Sequence, residues 1–205
     1  MYIYKLLRKE IQFLLPILIS LFLFFSTNIL GVCDISELAY WSKKMLDEPL
    51  RIVAYSFVHV DFNHLLSNIF GVSILRYCLI TLNSRNNSLF LLLILFIVPI
   101  QTIYLYLMDN YLFYANDNLL VGLSGVIYGS YSFLMLSSFF GNENFFKIHI
   151  GLTRNMNIFN LLSFLLVFGM IYSFLPGISL NGHFAGFISG IIIFYLSSKC
   201  RLFRI

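Results

Sequence analysis

SLFLLLILFIVPIQTIYLYLM, residues 88–108, contains no charged side chain. It matches the roughly 20 apolar residues that a helix needs to cross the hydrocarbon core of a bilayer. Five further stretches of the same kind lie around it, at 11–30, 60–80, 120–140, 158–176 and 183–198, the last one short. Lipid offers no partners to free backbone N–H and C=O groups, so each stretch is expected as a helix. The whole chain agrees with this local reading. Of its 205 residues 60% are hydrophobic and 11% charged, with a mean hydropathy of +0.87. A soluble domain carries about 25% charged residues. The expected fold is therefore all-α: one polytopic membrane domain over residues 1–205, with six transmembrane helices.

The first stretch follows Lys5, Arg8 and Lys9. It is too long and too aromatic for a signal peptide, and no small-x-small cleavage site follows Leu30, so it is read as a retained helix. With the N-terminus inside, Lys5, Arg8, Lys9, Arg76, Arg85, Lys147, Arg154, Lys199, Arg201 and Arg204 all fall on the inner side. Only Lys43, Lys44 and Arg51 fall outside. That bias orients both termini to the cytoplasm. The net charge of +4 then reflects topology, and the basic residues are too scattered for nucleic acid to be a partner. Cys33 falls outside, whereas Cys78 and Cys200 fall near the inner side, so no structural disulfide is expected. Zinc spacing and a phosphate-binding glycine loop are both missing, and no cofactor is expected.

Polar side chains are costly in a membrane, and three clusters of them need a reason. The second helix opens with His59-Val-Asp-Phe-Asn-His64-Leu-Leu-Ser-Asn68. The fourth opens with Gly122-Leu-Ser124-Gly125-Val-Ile-Tyr128-Gly129. The sixth opens with Gly182-His183-Phe-Ala-Gly186-Phe-Ile-Ser-Gly190. With the N-terminus inside, all three lie at the outer ends of their helices. Ser124 is six residues past Asn118, which places it roughly 9 Å below the outer surface. His64 and Asn68 share a helical face, as do Ser124 and Tyr128. Gly125 with Gly129, and Gly186 with Gly190, are small-xxx-small pairs that let helices approach closely in lipid. Such an approach would bring Ser124 towards His183, and a serine nucleophile needs a base within about 2.6–3.2 Å.

These residues resemble the rhomboid family of intramembrane serine proteases over nearly the whole chain. The likeness rests on the six-helix pattern, His64-x-x-x-Asn68, Gly122-x-Ser124-Gly125 and His183-x-x-Gly186, in that order. The resemblance implies that Ser124 is the nucleophile and His183 the general base. It implies that His64 and Asn68 help to hold the oxyanion, and that Tyr128 packs on the catalytic imidazole. His59 matches a structurally important histidine of some members. Arg51 matches the arginine of a Trp-Arg pair in the long first outer loop, although Leu50 stands where tryptophan is usual. The implied substrates are transmembrane segments of other membrane proteins. The implied gate is helix five, 158–176, or the outer loop 177–182. Short loops and the lack of a transit peptide fit a bacterial cytoplasmic membrane.

Blander readings stand beside these. Ser124 alone would be a small residue at a helix contact. His64 and Asn68 would be interhelical hydrogen bonders, Tyr128 core filling, and His59 a loop-stabilising group. His59, His64 and His183 lie on one side, but His59 and His64 are five apart and no His-Glu-x-x-His occurs, so no metal site is expected. The competing functions are a catalytically inactive relative that binds membrane clients, a processor of C-terminal sorting signals, and a small transporter.

Overall fold

The structure is a computed structural model and describes residues 2–112 and 119–199. Asp117, Asn118, Cys200, Arg201 and Arg204 lie outside the described residues, as do the side chains of Lys5, Arg8 and Lys199. In chain order the long elements are α1 (Tyr2–Phe24), α4 (Phe62–Thr81), α5 (Leu89–Leu107), α6 (Ser124–Phe140), α7 (Met156–Tyr172) and α8 (Leu180–Lys199). The short α2 (Ile35–Leu38) and α3 (Arg51–Ala54) lie in the loop after α1. π-helical turns end α1 at Phe25–Ile29 and α5 at Met108–Leu112.

Among the described residues four helices are long and apolar enough to cross a membrane: Lys9–Ile29, Phe62–Thr81, Leu89–Leu112 and Leu180–Ser197. The other two, α6 and α7, have 17 residues each. At about 1.5 Å per residue they reach roughly 25 Å, a little less than the hydrocarbon core. The expected stretches also shift at their edges, most tellingly in α6 and α7. The fourth helix starts at Ser124 rather than 120, because Leu120 is held in a bridge to Tyr40 and Gly122 has φ +116°. The fifth helix ends at Tyr172, and Ser173–Leu175 continue only as turns.

The segment expected as a plain loop, 141–157, instead holds an antiparallel hairpin. It joins β1 (Asn142–Phe145) and β2 (Ile148–Leu152), with Phe145 opposite Ile148 and Asn144 opposite His149. Burial explains it. Phe145 and Ile150 are fully covered and Leu152 nearly so. Phe145 packs edge-on against Phe96 of α5 and Phe133 of α6, with ring centroids 5.4 and 5.7 Å apart. The hairpin thus plugs one end of the bundle.

Helix α6 is the centre. Residues on every face of it are buried, among them Val126, Tyr131, Phe133 and Leu134, as expected of a helix surrounded by others. Its tightest neighbour is α8. A Cβ at Gly129 would lie 2.8 Å from the Gly186 carbonyl oxygen, and one at Gly125 would lie 3.1 Å from that of Gly182. Ser132 Oγ donates across the crossing to the Phe187 carbonyl at 2.8 Å. Glycines on both helices allow this backbone contact, the close packing that lipid-embedded helices use in place of a hydrophobic driving force.

Candidate active site

The α6–α8 crossing sets the position of the two residues next to it. Gly125 meets the carbonyl of Gly182, so Ser124 and His183 flank one contact. One turn into α6, the Tyr128 ring lies flat on the His183 imidazole, with centroids 4.2 Å apart and planes 7° apart. The two helices start differently. Ser179 Oγ accepts from the Gly182 N–H at 3.0 Å and caps the start of α8. At α6 no side chain caps the helix, and its first internal bond is Ile127 N–H to the Leu123 carbonyl. The N–H groups of Ser124, Gly125 and Val126 therefore have no partner within the helix. They form a donor set at a positive helix end, suited to an anion.

His183 is 9% exposed. Its Nδ1 lies 2.6 Å from Ser173 Oγ, and that hydroxyl donates its own proton to the Gly169 carbonyl, also at 2.6 Å. Ser173 has one proton to give, so Nδ1 is the donor towards it. The imidazole is then fixed as the Nδ1–H tautomer, and Nε2 keeps its lone pair. Among the described residues Ser124 Oγ has no hydrogen-bond partner. The geometry joins His183 to Ser173 and Tyr128 rather than directly to Ser124.

The α4 side adds two more polar groups. Asp61 caps α4, accepting from the His64 N–H at 2.9 Å, so its carboxylate is used at the helix end. The His64 ring and the Asn68 amide converge on Gly122. A Cβ there would lie 2.6 Å from His64 Nε2 and 3.6 Å from Asn68 Nδ2. Gly122 is thus required twice, by its φ of +116° and by this packing. Asn68 Nδ2 donates to His59 Nε2 at 2.8 Å, and His59 Nδ1–H donates to the Phe57 carbonyl at 3.0 Å. His59 is fully buried. Burial, with His64 close by, pushes its pKa down to about 4, so it is neutral. Its carbonyl also accepts from Asn28 on the π turn after α1, at 3.1 Å.

The outer loop is tied to the segment that leads to Ser124. Tyr40 and Leu120 exchange two backbone hydrogen bonds, 2.9 and 3.2 Å, and the Tyr55 carbonyl accepts from the Gly122 N–H at 2.8 Å. The Tyr40 hydroxyl donates to buried Asp109 at 3.0 Å. Arg51, 3% exposed, holds the rest of the loop. It bonds Glu48 Oε2 at 2.5 Å and the carbonyls of Ser36 and Ala39 at 2.5 and 2.9 Å. Its partners are all within the loop, and Leu50 is 71% exposed, so no tryptophan is needed at position 50 to engage this arginine.

Ser124, Gly122 and Gly125 line a small recess of about 20 Å³ with Gln101 and Tyr55; His183 does not line it. Gln101 Nε2 donates to the Tyr55 hydroxyl at 2.7 Å, while its Oε1 is buried without a partner. Ser173, Gln101, Tyr55 and Asp109 were not singled out in the sequence. Each is a polar residue in or beside an apolar helix, which is the signal that marks such sites. Among the described residues no group of His, Cys, Asp or Glu is placed to hold a metal ion.

No curated protein matches the chain. The family model of the rhomboid domain matches residues 46–200, a span that contains the His64, Ser124 and His183 motifs and more than half of the sequence. On the strength of that match, and of a helical membrane-type bundle built round α6, the chain belongs to the rhomboid family.

Proposed function

We propose that the protein is an intramembrane serine endopeptidase, acting through Ser124 and His183 on transmembrane segments of other membrane proteins. The family usually comprises such enzymes. The observation that carries the reading is the stack of Tyr128 on His183, one helical turn from Ser124, with Nδ1 occupied by Ser173. This leaves Nε2 as the free base. A general base acts only if its lone pair is directed at the proton it takes.

In this reading a locally unwound substrate segment is presented to Ser124 at the start of α6. His183 Nε2 takes the Ser124 hydroxyl proton as Oγ attacks the peptide carbonyl carbon. The resulting oxyanion meets the free N–H groups at the start of α6, with His64 and the second amide proton of Asn68. One such donor is typically worth about 2.7–4 kcal/mol. The imidazolium gives its proton to the leaving amine, and water then hydrolyses the acyl-enzyme with His183 again as base. All six long helices span the bilayer with both termini in the cytoplasm. The serine then lies in the outer leaflet of what is simplest to take as a bacterial cytoplasmic membrane.

A second reading, an inactive relative that binds membrane clients, is favoured by one observation: Ser124 Oγ makes no hydrogen bond to His183. Catalytic bonds are often long in the resting enzyme, so the enzyme reading leads. The test is covalent labelling of the purified protein in detergent by a fluorophosphonate. Labelling of wild type, lost in Ser124→Ala and His183→Ala while both stay folded, is expected. A folded wild type that resists labelling would remove the protease reading and leave the client binder.

A further inference from the structure

At the end of α6 opposite Ser124, roughly 25 Å away, the hairpin frames a groove of about 510 Å³. Two arginines reach it from different elements. Arg85 follows α4; its N–H donates to the Ile150 carbonyl at 2.9 Å, and its stem crosses Gly151, where a Cβ would lie 2.9 Å from Arg85 Cδ. Arg154 follows β2; its Nε donates to the Phe139 carbonyl at 2.8 Å, and its stem crosses Gly141, with 3.3 Å from a Cβ there to Arg154 Cγ. Both glycines have positive φ, +62° and +75°. Each arginine is thus laid against a glycine that no other residue replaces without strain.

Both arginines line the same groove, and among the described residues neither has a carboxylate partner. A second, independent feature points to a ligand. Asn142 also lines the groove and is 1% exposed, yet its Nδ2 has no hydrogen-bond partner. A buried donor without an acceptor costs roughly 1–3 kcal/mol, and an anion in the groove would satisfy it. His149 and Thr153 supply further polar groups to the lining, and Glu143 places one exposed carboxylate there. Phe140, 55% exposed, gives it an apolar margin.

We propose that this groove binds a phosphate-bearing anion, with the phosphate oxygens shared between Arg85 and Arg154 and a further bond from Asn142 Nδ2. Guanidinium forks match phosphate in this bidentate way. The source is either the headgroup of an anionic phospholipid, whose chains the Phe140 margin would meet, or a soluble phosphate. The site is separate from the serine and stands whether or not the chain is a protease.

The test uses the full chain in mild detergent. Native mass spectrometry reads lipids retained from mixed phosphatidylglycerol and phosphatidylcholine micelles, and thermal unfolding is followed with inorganic phosphate. Retention of phosphatidylglycerol over phosphatidylcholine is expected, weakened roughly fivefold for each arginine lost in Arg85→Gln and Arg154→Gln. Glu143→Gln should strengthen it, whereas Lys147→Gln, which removes an exposed cation outside the lining, should leave it unchanged. Retained lipid that phosphate displaces assigns the headgroup. Stabilisation by phosphate without lipid preference, lost in the same two variants, assigns the soluble ion. The proposal is overturned if folded arginine variants bind both probes as wild type does, if Lys147→Gln weakens binding equally, or if wild type binds neither.

Discussion

On its α8 side, α6 touches backbone with backbone. A Cβ placed on Gly186 would strike the Gly125 carbonyl, and one on Gly190 would strike that of Gly129. On its α7 side the contact is made by side chains. A Cβ on Gly169 would meet the hydroxyl end of Tyr128, and Leu162 and Leu166 fill the remaining space. The outer face of α7 carries Phe164, Val167, Phe168 and Ile171, all more than half exposed. Backbone cannot move aside, whereas the tip of a side chain can. The first interface therefore fixes the distance between Ser124 and His183, and the second only adjusts the imidazole. If the protein is an enzyme that admits a substrate helix, α7 is the side with freedom to give way.

Substitutions of one methyl group separate the two interfaces most sharply. Gly186→Ala is expected to cost about 3 kcal/mol or more, because the strain of overpacking has no side chain to absorb it; thermal unfolding in detergent would show it. An unfolding midpoint close to wild type would mean that the α8 contact is as yielding as the other. Next in size is Ser173→Ala, which removes the partner of His183 Nδ1. The rate of fluorophosphonate labelling should fall roughly tenfold, about 1.4 kcal/mol, with little change in unfolding temperature, and Ser173→Thr should recover part of it. An equal loss of stability and labelling would instead make Ser173 a packing residue. Gly169→Ala follows, at about 1 kcal/mol, since Tyr128 can swing away at the expense of its stack on His183.

The smallest effect lies on the third neighbour, α4. His59 titrates at about 4 when buried, against 6.5 as its ordinary value. Its stabilising influence is complete above the ordinary value and is lost as pH falls from 6.5 towards 4, because the unfolded chain then binds a proton that the folded one resists. Between pH 7 and 6 the loss is expected to stay below about 1 kcal/mol. His59→Gln should flatten this dependence. A dependence as steep as that of wild type in His59→Gln would remove His59 as its source.

Helix positions were legible because lipid forces each apolar run to close its own hydrogen bonds, and the glycine pairs gave the α6–α8 contact. The hairpin was not legible. Its strands are short, and only Phe145, Ile150 and Leu152 turn inward, a pattern that a polar loop with chance hydrophobics also shows. The motif residues Ser124, His64, Asn68 and His183 stood out as polar groups in apolar surroundings. Their partners did not. Ser173 lies 10 residues before His183, and Tyr55 lies 46 before Gln101; nothing in either local stretch says which atom will be met across the bundle. The helices were legible in place more than in length, since α6 and α7 come out at 17 residues.

The bridge between Tyr40 and Leu120 has a mechanical consequence. The loop after α1 and the segment entering α6 share two backbone hydrogen bonds there, and a third joins Tyr55 to Gly122. Force applied to that loop, by lateral pressure among headgroups or by an arriving helix, has a short, stiff path to the turn that carries Ser124. Bilayers that differ in headgroup tension would then change the serine's alignment without touching it.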